Sequence, residues 1–235
     1  MPLRPLTFQR GWVKHPAGSC LVSCGDTRVL VTASVENTVP PHRKGAPGRP
    51  GGGWLTAEYN MLPGSTVPRK KRDNGKQDGR SIEIQRLIGR SLRAAVDLDK
   101  IGEVTIAIDC DVLQADGGTR TTAITGAWVA LYDALWWLAK ERNRKGPEDY
   151  LLGQVAAISV GIVDGKVETD LDYAKDVKAE VDMNVVCRGT DFIEVQGTGE
   201  HGVFNRTQLD QLLGAASEAL VEIQKAQRNA LGLKP

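Results

Sequence analysis

The stretch from Gly79 to Gly126, GRSIEIQRLIGRSLRAAVDLDKIGEVTIAIDCDVLQADGGTRTTAITG, leaves a chain like this few ways to fold. Its first part has apolar residues at helical spacing and carries Arg86, Arg90 and Arg93 at intervals of four and three, so a helix lines the three guanidiniums along one side. A strand-like run then ends in Gly117-Gly118-Thr119-Arg120-Thr121-Thr122, where a second helical pattern starts. That junction has the chemistry of an anion site: glycines that let backbone approach a ligand, a helix start with unpaired N–H groups, and an arginine. Two cationic elements that converge on one anion point to a protein that handles phosphates.

The net charge of +1 over 235 residues argues against a bulk polycation. The distribution of charge says more: nine Lys/Arg against three acids between Pro41 and Arg80, then seven acids against three lysines between Asp164 and Asp182. A basic loop region and an acidic segment in one chain suggest a polyanion together with a metal or a proton donor, although two solvated faces would give the same counts. Cys20, Cys24, Cys110 and Cys187 have no zinc spacing and read as buried free thiols, which suits a reducing cytoplasm. The N-terminus has no apolar signal core, and the longest apolar stretch, Ala127–Ala139, is interrupted by Asp133 and too short to span a bilayer. The expectation is a soluble cytoplasmic protein without membrane contact.

Turn chemistry organises the rest. Two alternating runs, Ser19–Cys24 and Thr27–Val35, flank Gly25-Asp26 and predict a β-hairpin. Gly45–Gly53 reads as a loop, Trp54–Leu62 as a strand, and Pro63–Gly79 as a polar loop holding Arg69, Lys70, Lys71, Arg72 and Lys76. Helix, strand and long helix follow at about Ser81–Val96, Glu103–Leu113 and Thr121–Arg142. A second hairpin is expected from Val155–Val163 and Lys166–Thr169 around Asp164-Gly165, and a third from Ala179–Cys187 and Asp191–Gln196 around Gly189. The chain closes with a helix over Thr207–Leu231. Strands followed by helices, twice, predict an α+β protein in which two similar halves of strands and helix form a two-layer sandwich; with no linker between them, residues 1–235 read as one domain.

Gly197-Thr198-Gly199-Glu200-His201-Gly202 matches GxGxxG. A dinucleotide site also needs a further parallel strand with an acid at its end, and almost nothing but one helix follows, so this segment reads as a strand-to-helix connection. His15, His42 and His201 have no triad partners at a suggestive spacing. Asp182, by contrast, enters a run that should be a buried strand, where a carboxylate is costly unless it is paired or used.

With those residues in view, the chain resembles the ribonuclease PH family of phosphorolytic exoribonucleases, which trim tRNA 3′ ends. The resemblance runs from about Gln9 to Leu231 and rests on GWLTAEYNMLP, GRSIEIQRLIGRSLRA, IDCDVLQADGGTRTTAITGA, DMNVV at Asp182 and EVQGT at Glu194. It implies the RNase PH fold, a homo-hexameric ring (a trimer of dimers), Mg²⁺, and inorganic phosphate as co-substrate. It implies that Arg86 with Gly118, Thr119 and Arg120 holds the attacking orthophosphate. Asp176 and Asp182 become the acids, either binding the metal or, through Asp182, protonating the leaving 3′-oxygen. The metal-assisted version is preferred, because an aspartate ionised at neutral pH donates a proton poorly unless its pKa is raised. The tRNA substrate falls to the basic loop, Arg69, Lys70, Lys71, Arg72 and Lys76, with Arg90 and Arg93 of the helix. A ring for base stacking is expected too, but no particular aromatic is singled out.

Some positions depart from the family pattern. A short Arg/Asp-Gly-Arg segment usually precedes the start seen here, Gly64 stands where arginine often follows Met-Leu-Pro, and the basic loop is about two residues shorter. Lys175 replaces an acid beside Asp176, and its ammonium is expected to favour the ionised carboxylate there. The alternatives are a non-catalytic RNA-binding ring subunit, which typically lacks part of the phosphate site or the acid, and a small-molecule kinase, which needs a nucleotide-binding glycine loop.

Overall fold

The computed structural model describes residues 3–72 and 78–234. Alternation builds the first half. Val29, Val31 and Ala33 of β3 (Thr27–Glu36) turn inward while their neighbours are partly or fully exposed. The Gly25-Asp26 hairpin joins β3 to β2 (Gly18–Cys24), with Cys24 opposite Thr27. On the far side β3 pairs antiparallel with β5 (Thr105–Gln114), and β5 pairs parallel with β4 (Trp54–Met61). That parallel pair needs a crossover, which α1 (Gly79–Arg93) supplies. A strand that sequence reasoning did not anticipate, β1 (Leu6–Arg10), pairs with β2 and completes a five-stranded sheet in the order β1-β2-β3-β5-β4.

The second half is a four-stranded antiparallel sheet, β7-β6-β8-β9, from β6 (Val155–Val163), β7 (Lys166–Thr169), β8 (Val181–Arg188) and β9 (Asp191–Thr198). Every residue of β6 is buried because both of its faces are covered. Val155 and Ala157 join the core around α2 (Thr119–Glu141), whereas Ala156, Ile158, Val160 and Ile162 join a second core beneath α4 (Arg206–Leu231). Helix α2 is apolar nearly all round, as a helix enclosed by other elements must be, and packs on β2 and β3 on one side and β6 on the other. Each half is therefore a sheet-and-helix sandwich, and they share α2. Gln227 locks them together: its buried amide donates to the Thr125 and Val155 carbonyls and accepts from Gln154.

Two local differences from expectation matter for function. Helix α1 begins at Gly79, two residues early, because Asp78 caps it by accepting from the Ser81 N–H at 2.6 Å. The acidic segment also holds one helical turn, α3 (Tyr173–Asp176), capped in the same way by Asp172. The GxGxxG segment lies at the end of β9, which pairs antiparallel with β8, so no parallel strand flanks it. All four cysteines are buried free thiols. Burial pushes the Cys20 and Cys24 thiols up to about 12, which leaves them unreactive.

Candidate active site

A cleft of about 840 Å³ opens where the halves meet. The ends of the parallel strands β4 and β5 (Met61, Gln114) and the first turn of α2 form one wall, and Ser159, Asp182 and Asn184 of β6 and β8 form the other. Helix α3 and Glu200 from the β9–α4 connection complete the second wall, and Arg80 completes the first.

The first wall is an anion turn held from behind. Gly117 and Gly118 both take left-handed φ values, 72° and 62°, that disfavour other residues. A Cβ on Gly117 would also meet the backbone of Leu171–Tyr173 at 2.5–2.7 Å, so the turn can lie directly on the acid-bearing segment only as glycine. The Thr27 hydroxyl donates to the Gly117 carbonyl at 2.7 Å and accepts the Asp116 N–H at 2.9 Å. Arg4 donates to the Asp116 carbonyl at 2.7 Å and forms a buried ion pair with Asp170 at 2.6 Å. The turn is thus pinned to both halves. Its front is left open: Gly118 caps α2 without any side-chain acceptor, so the leading N–H groups stay available. Thr119 accepts the Tyr59 phenol at 2.9 Å, which leaves its own hydroxyl proton to donate into the cleft. Among the described residues Arg120 has only a loose partner, Glu83 at 3.5 Å.

The second wall is acidic and partly dry. Burial raises the Asp182 pKa to about 6, Asp176 and Glu200 push it further up, and Arg120 and the Asn184 amide oppose them. One Asp182 oxygen, Oδ1, is buried without a hydrogen-bond partner. The Asp176 pKa is also raised, by burial first, with Arg80 and Arg120 pulling the other way. Lys175 does not assist Asp176 as expected; its ammonium turns to Glu168 at 2.9 Å. Among the described residues no group of three or more His, Cys, Asp or Glu is arranged to hold a metal. The orphaned Asp182 oxygen beside Asp176 nevertheless fits an Mg²⁺ that takes one or two carboxylates and completes its shell with water and phosphate oxygens.

The cleft gathers Gly118, Thr119, Arg120, Asp176 and Asp182, five of the expected residues. It does not include Arg86. That side chain is exposed on α1 and lines no part of the cleft, whereas Arg80 does. Six helical positions separate the two, about 9 Å along the axis and about 120° around it. The Asp78 cap was the signal for Arg80, since it moves the helix start ahead of that arginine. Arg90 and Arg93, expected on RNA, are engaged within the fold. Arg90 forms a two-pronged pair with Glu194 of β9, and Arg93 donates to the Leu55 carbonyl and lies 4.9 Å from the Trp54 ring centre. Lys70 pairs with Asp78 at 2.6 Å and so tethers the basic loop to the start of α1. Arg69, Lys71 and Arg72 are exposed. Lys76 lies outside the described residues. Sequence reasoning also missed Asn184, Tyr173 and Glu200 as lining residues, the last because its segment had been set aside as a connection.

A pinned anion turn facing protonatable carboxyls across one cleft defines a class: proteins that activate or bind phosphate against a second polar substrate. Comparison with known proteins narrows it. The model of the 3′ exoribonuclease family, domain 1, matches residues 2–135, and that of domain 2 matches residues 153–219. Ribonuclease PH of Corynebacterium kroppenstedtii is 54% identical over 97% of this chain and 89% of its own length. Ribonuclease PH of Mycolicibacterium smegmatis is 56% identical over 97% and 88%. Among solved structures, rice (Oryza sativa) Rrp46 superposes with a TM-score of 0.77 at 20% identity, over 98% of this chain and 96% of that one. The Archaeoglobus fulgidus exosome with RNA bound to the active site gives 0.76 at 20% identity, over 95% and 88%. The chain belongs to the 3′ exoribonuclease family, with the RNase PH fold.

Proposed function

We propose that this chain is a phosphate-dependent 3′-to-5′ exoribonuclease, a nucleotidyltransferase that moves the terminal nucleotide of an RNA to inorganic phosphate. The observation that carries this reading is the opposition, within one cleft, of a cationic turn and a carboxyl whose pKa is raised to about 6. Two anions must meet for phosphorolysis. Arg80 and Arg120 supply planar donor forks that match phosphate oxygens, and the N–H groups at Gly118 and Thr119 add fixed positive potential. A phosphate oxygen attacks the last phosphodiester. A new P–O bond forms, the bond to the 3′-oxygen breaks, and a nucleoside diphosphate leaves.

The departing 3′-oxygen needs a proton. With its pKa near 6, Asp182 holds one in roughly a tenth of molecules at pH 7, far more than an ordinary aspartate, and so serves as general acid. Of the two roles the sequence left to Asp182, this favours the proton donor over the metal-assisted version preferred there. In its ionised form Asp182 would instead join Asp176 in holding Mg²⁺, which when bound would neutralise charge on the phosphates and take the place of the proton on Asp182. Both assignments, and the roles of Arg80, Gly118, Thr119 and Arg120, belong to this proposal.

The substrate we assign is the 3′ end of tRNA precursors, drawn to the cleft by the exposed Arg69, Lys71 and Arg72. The working form would be a homo-hexamer in the cytoplasm, a trimer of dimers; the likeness of the fold to exosome-core structures supports a ring, and sedimentation analysis would measure it. Among the described residues no helix is long and apolar enough to cross a membrane. The test of activity is direct. With Mg²⁺, phosphate and a short RNA, nucleoside diphosphates should appear one at a time from the 3′ end. Release of monophosphates at the same rate without phosphate would refute phosphorolysis.

A further inference from the structure

We propose that Tyr173 is the platform on which a nucleobase at the RNA 3′ end stacks. The inference rests on the reading of the cleft as an RNA-phosphorolysis site, and adds a subsite to it.

Tyr173 opens α3, and among the described residues it is the one aromatic side chain that lines the cleft. Asp172 fixes the turn by accepting the Lys175 N–H at 2.9 Å. Positions i, i+3 and i+4 share a helical face, and here those positions are Tyr173, Asp176 and Val177, all three on the cleft wall. The phenol ring is therefore set about one helical turn from the carboxyl that faces the reacting phosphates. The backbone N of Tyr173 also packs against Gly117, so the ring starts beside the anion turn itself.

Tyr173 is 61% exposed and Val177 56% exposed. The fold thus presents an aromatic and an aliphatic side chain to the cleft where it could have buried them. Charge selects what they receive. Asp176 and Glu200 lie on this wall and repel the RNA backbone, while a neutral base is tolerated. An enzyme that removes one nucleotide after another must hold each of four bases alike, and a ring accepts the face of any of them.

The test uses short RNAs with a normal or an abasic 3′-terminal or penultimate residue, and two readouts: turnover with phosphate, and binding by fluorescence anisotropy without it. Tyr173→Ala should raise KM and Kd for normal RNA by about tenfold or more, a loss within the range set by base–aromatic stacking. The KM for phosphate should stay unchanged. Tyr173→Phe should behave as wild type, and Tyr173→Leu should lose most of what alanine loses, since bulk without a π face does not stack. On one of the two abasic RNAs the wild type should drop to the level of Tyr173→Ala, with no further loss in the variant. Wild-type affinity in Tyr173→Ala, or equal losses on normal and abasic RNA, would overturn the proposal. An absence of phosphate-dependent diphosphate release from the wild type would instead refute the reading of function, and the anisotropy series would still decide whether the ring stacks.

Discussion

The arginines of α1 and the arginine of the glycine turn occupy unlike surroundings. Arg90 is neutralised by Glu194 across the two halves, and Arg93 spends its charge on a backbone carbonyl and the face of Trp54. Arg120, one residue into α2, has a buried frame behind it and, among the described residues, only a 3.5 Å contact in front. Of the α1 arginines it is Arg80, in the first turn, that shares its cleft. A stripe along a helix is set by period alone, and whatever faces it decides what its charges do. A turn with two left-handed glycines and an uncapped helix start has already given up alternative conformations and partners, and what remains is aimed at a ligand.

The comparison breaks most sharply at the group the turn should face. Asp182→Asn should lower the phosphorolysis rate by roughly 10²–10⁴-fold, the usual worth of a positioned general acid, while RNA binding persists. A normal turnover number would mean that the turn seats phosphate opposite nothing of consequence.

Next in size is the pin behind the turn. Arg4→Met leaves Asp170 buried and unpaired, with its side chain 4% exposed. Loss of one member of such a pair costs about 3–5 kcal/mol, which urea unfolding would register. If the pin positions the turn, the folded variant should also need more phosphate for half-maximal rate. Loss of stability with an unchanged phosphate requirement would reduce Arg4 to scaffolding.

The pH response sharpens the account of the acid wall. Burial holds the Asp182 carboxyl near 6 against an ordinary 3.8. Well below pH 3.8 it is neutral folded or unfolded and contributes no difference. Between about pH 4 and 6 the fold retains a proton that the unfolded chain has released, so stability falls across that window by on the order of 2–3 kcal/mol and levels off above it. The raised Asp176 pKa adds to the same trend. Denaturation of Asp182→Asn between pH 4 and 8 should lose most of this fall; an identical profile in both proteins would contradict the assignment. The smallest effect is expected on the stripe. The Arg90 side chain is 48% exposed, so Arg90→Ala should cost no more than about 1 kcal/mol, with the phosphate requirement unchanged.

Much of this was legible in the sequence where local chemistry dictates structure. Gly25-Asp26 and Asp164-Gly165 marked hairpins that form with the expected pairing, and the Gly-Gly-Thr-Arg run marked the anion turn. Other features were hidden for physical reasons. The five residues of β1 gain their order from pairing with β2, which no local pattern reveals. Helix α3 is a single turn, too short to show a period, so Tyr173 and Asp176 were not seen to share a face. The fates of Arg90 and Arg93 depended on Glu194, Leu55 and Trp54, which approach only in three dimensions. Arg80 was hidden more narrowly, by a helix start placed two residues too late for Asp78 to be recognised as its cap.

If the turn seats phosphate together with Arg80, titrating phosphate against diphosphate release in Arg80→Ala and Arg86→Ala should separate the two arginines. Arg80→Ala should raise the phosphate KM tenfold or more while Arg86→Ala should stay within about twofold of wild type, in keeping with the loss of a charge-assisted hydrogen bond in one and none in the other. A large rise in Arg86→Ala with none in Arg80→Ala would contradict that seating of phosphate.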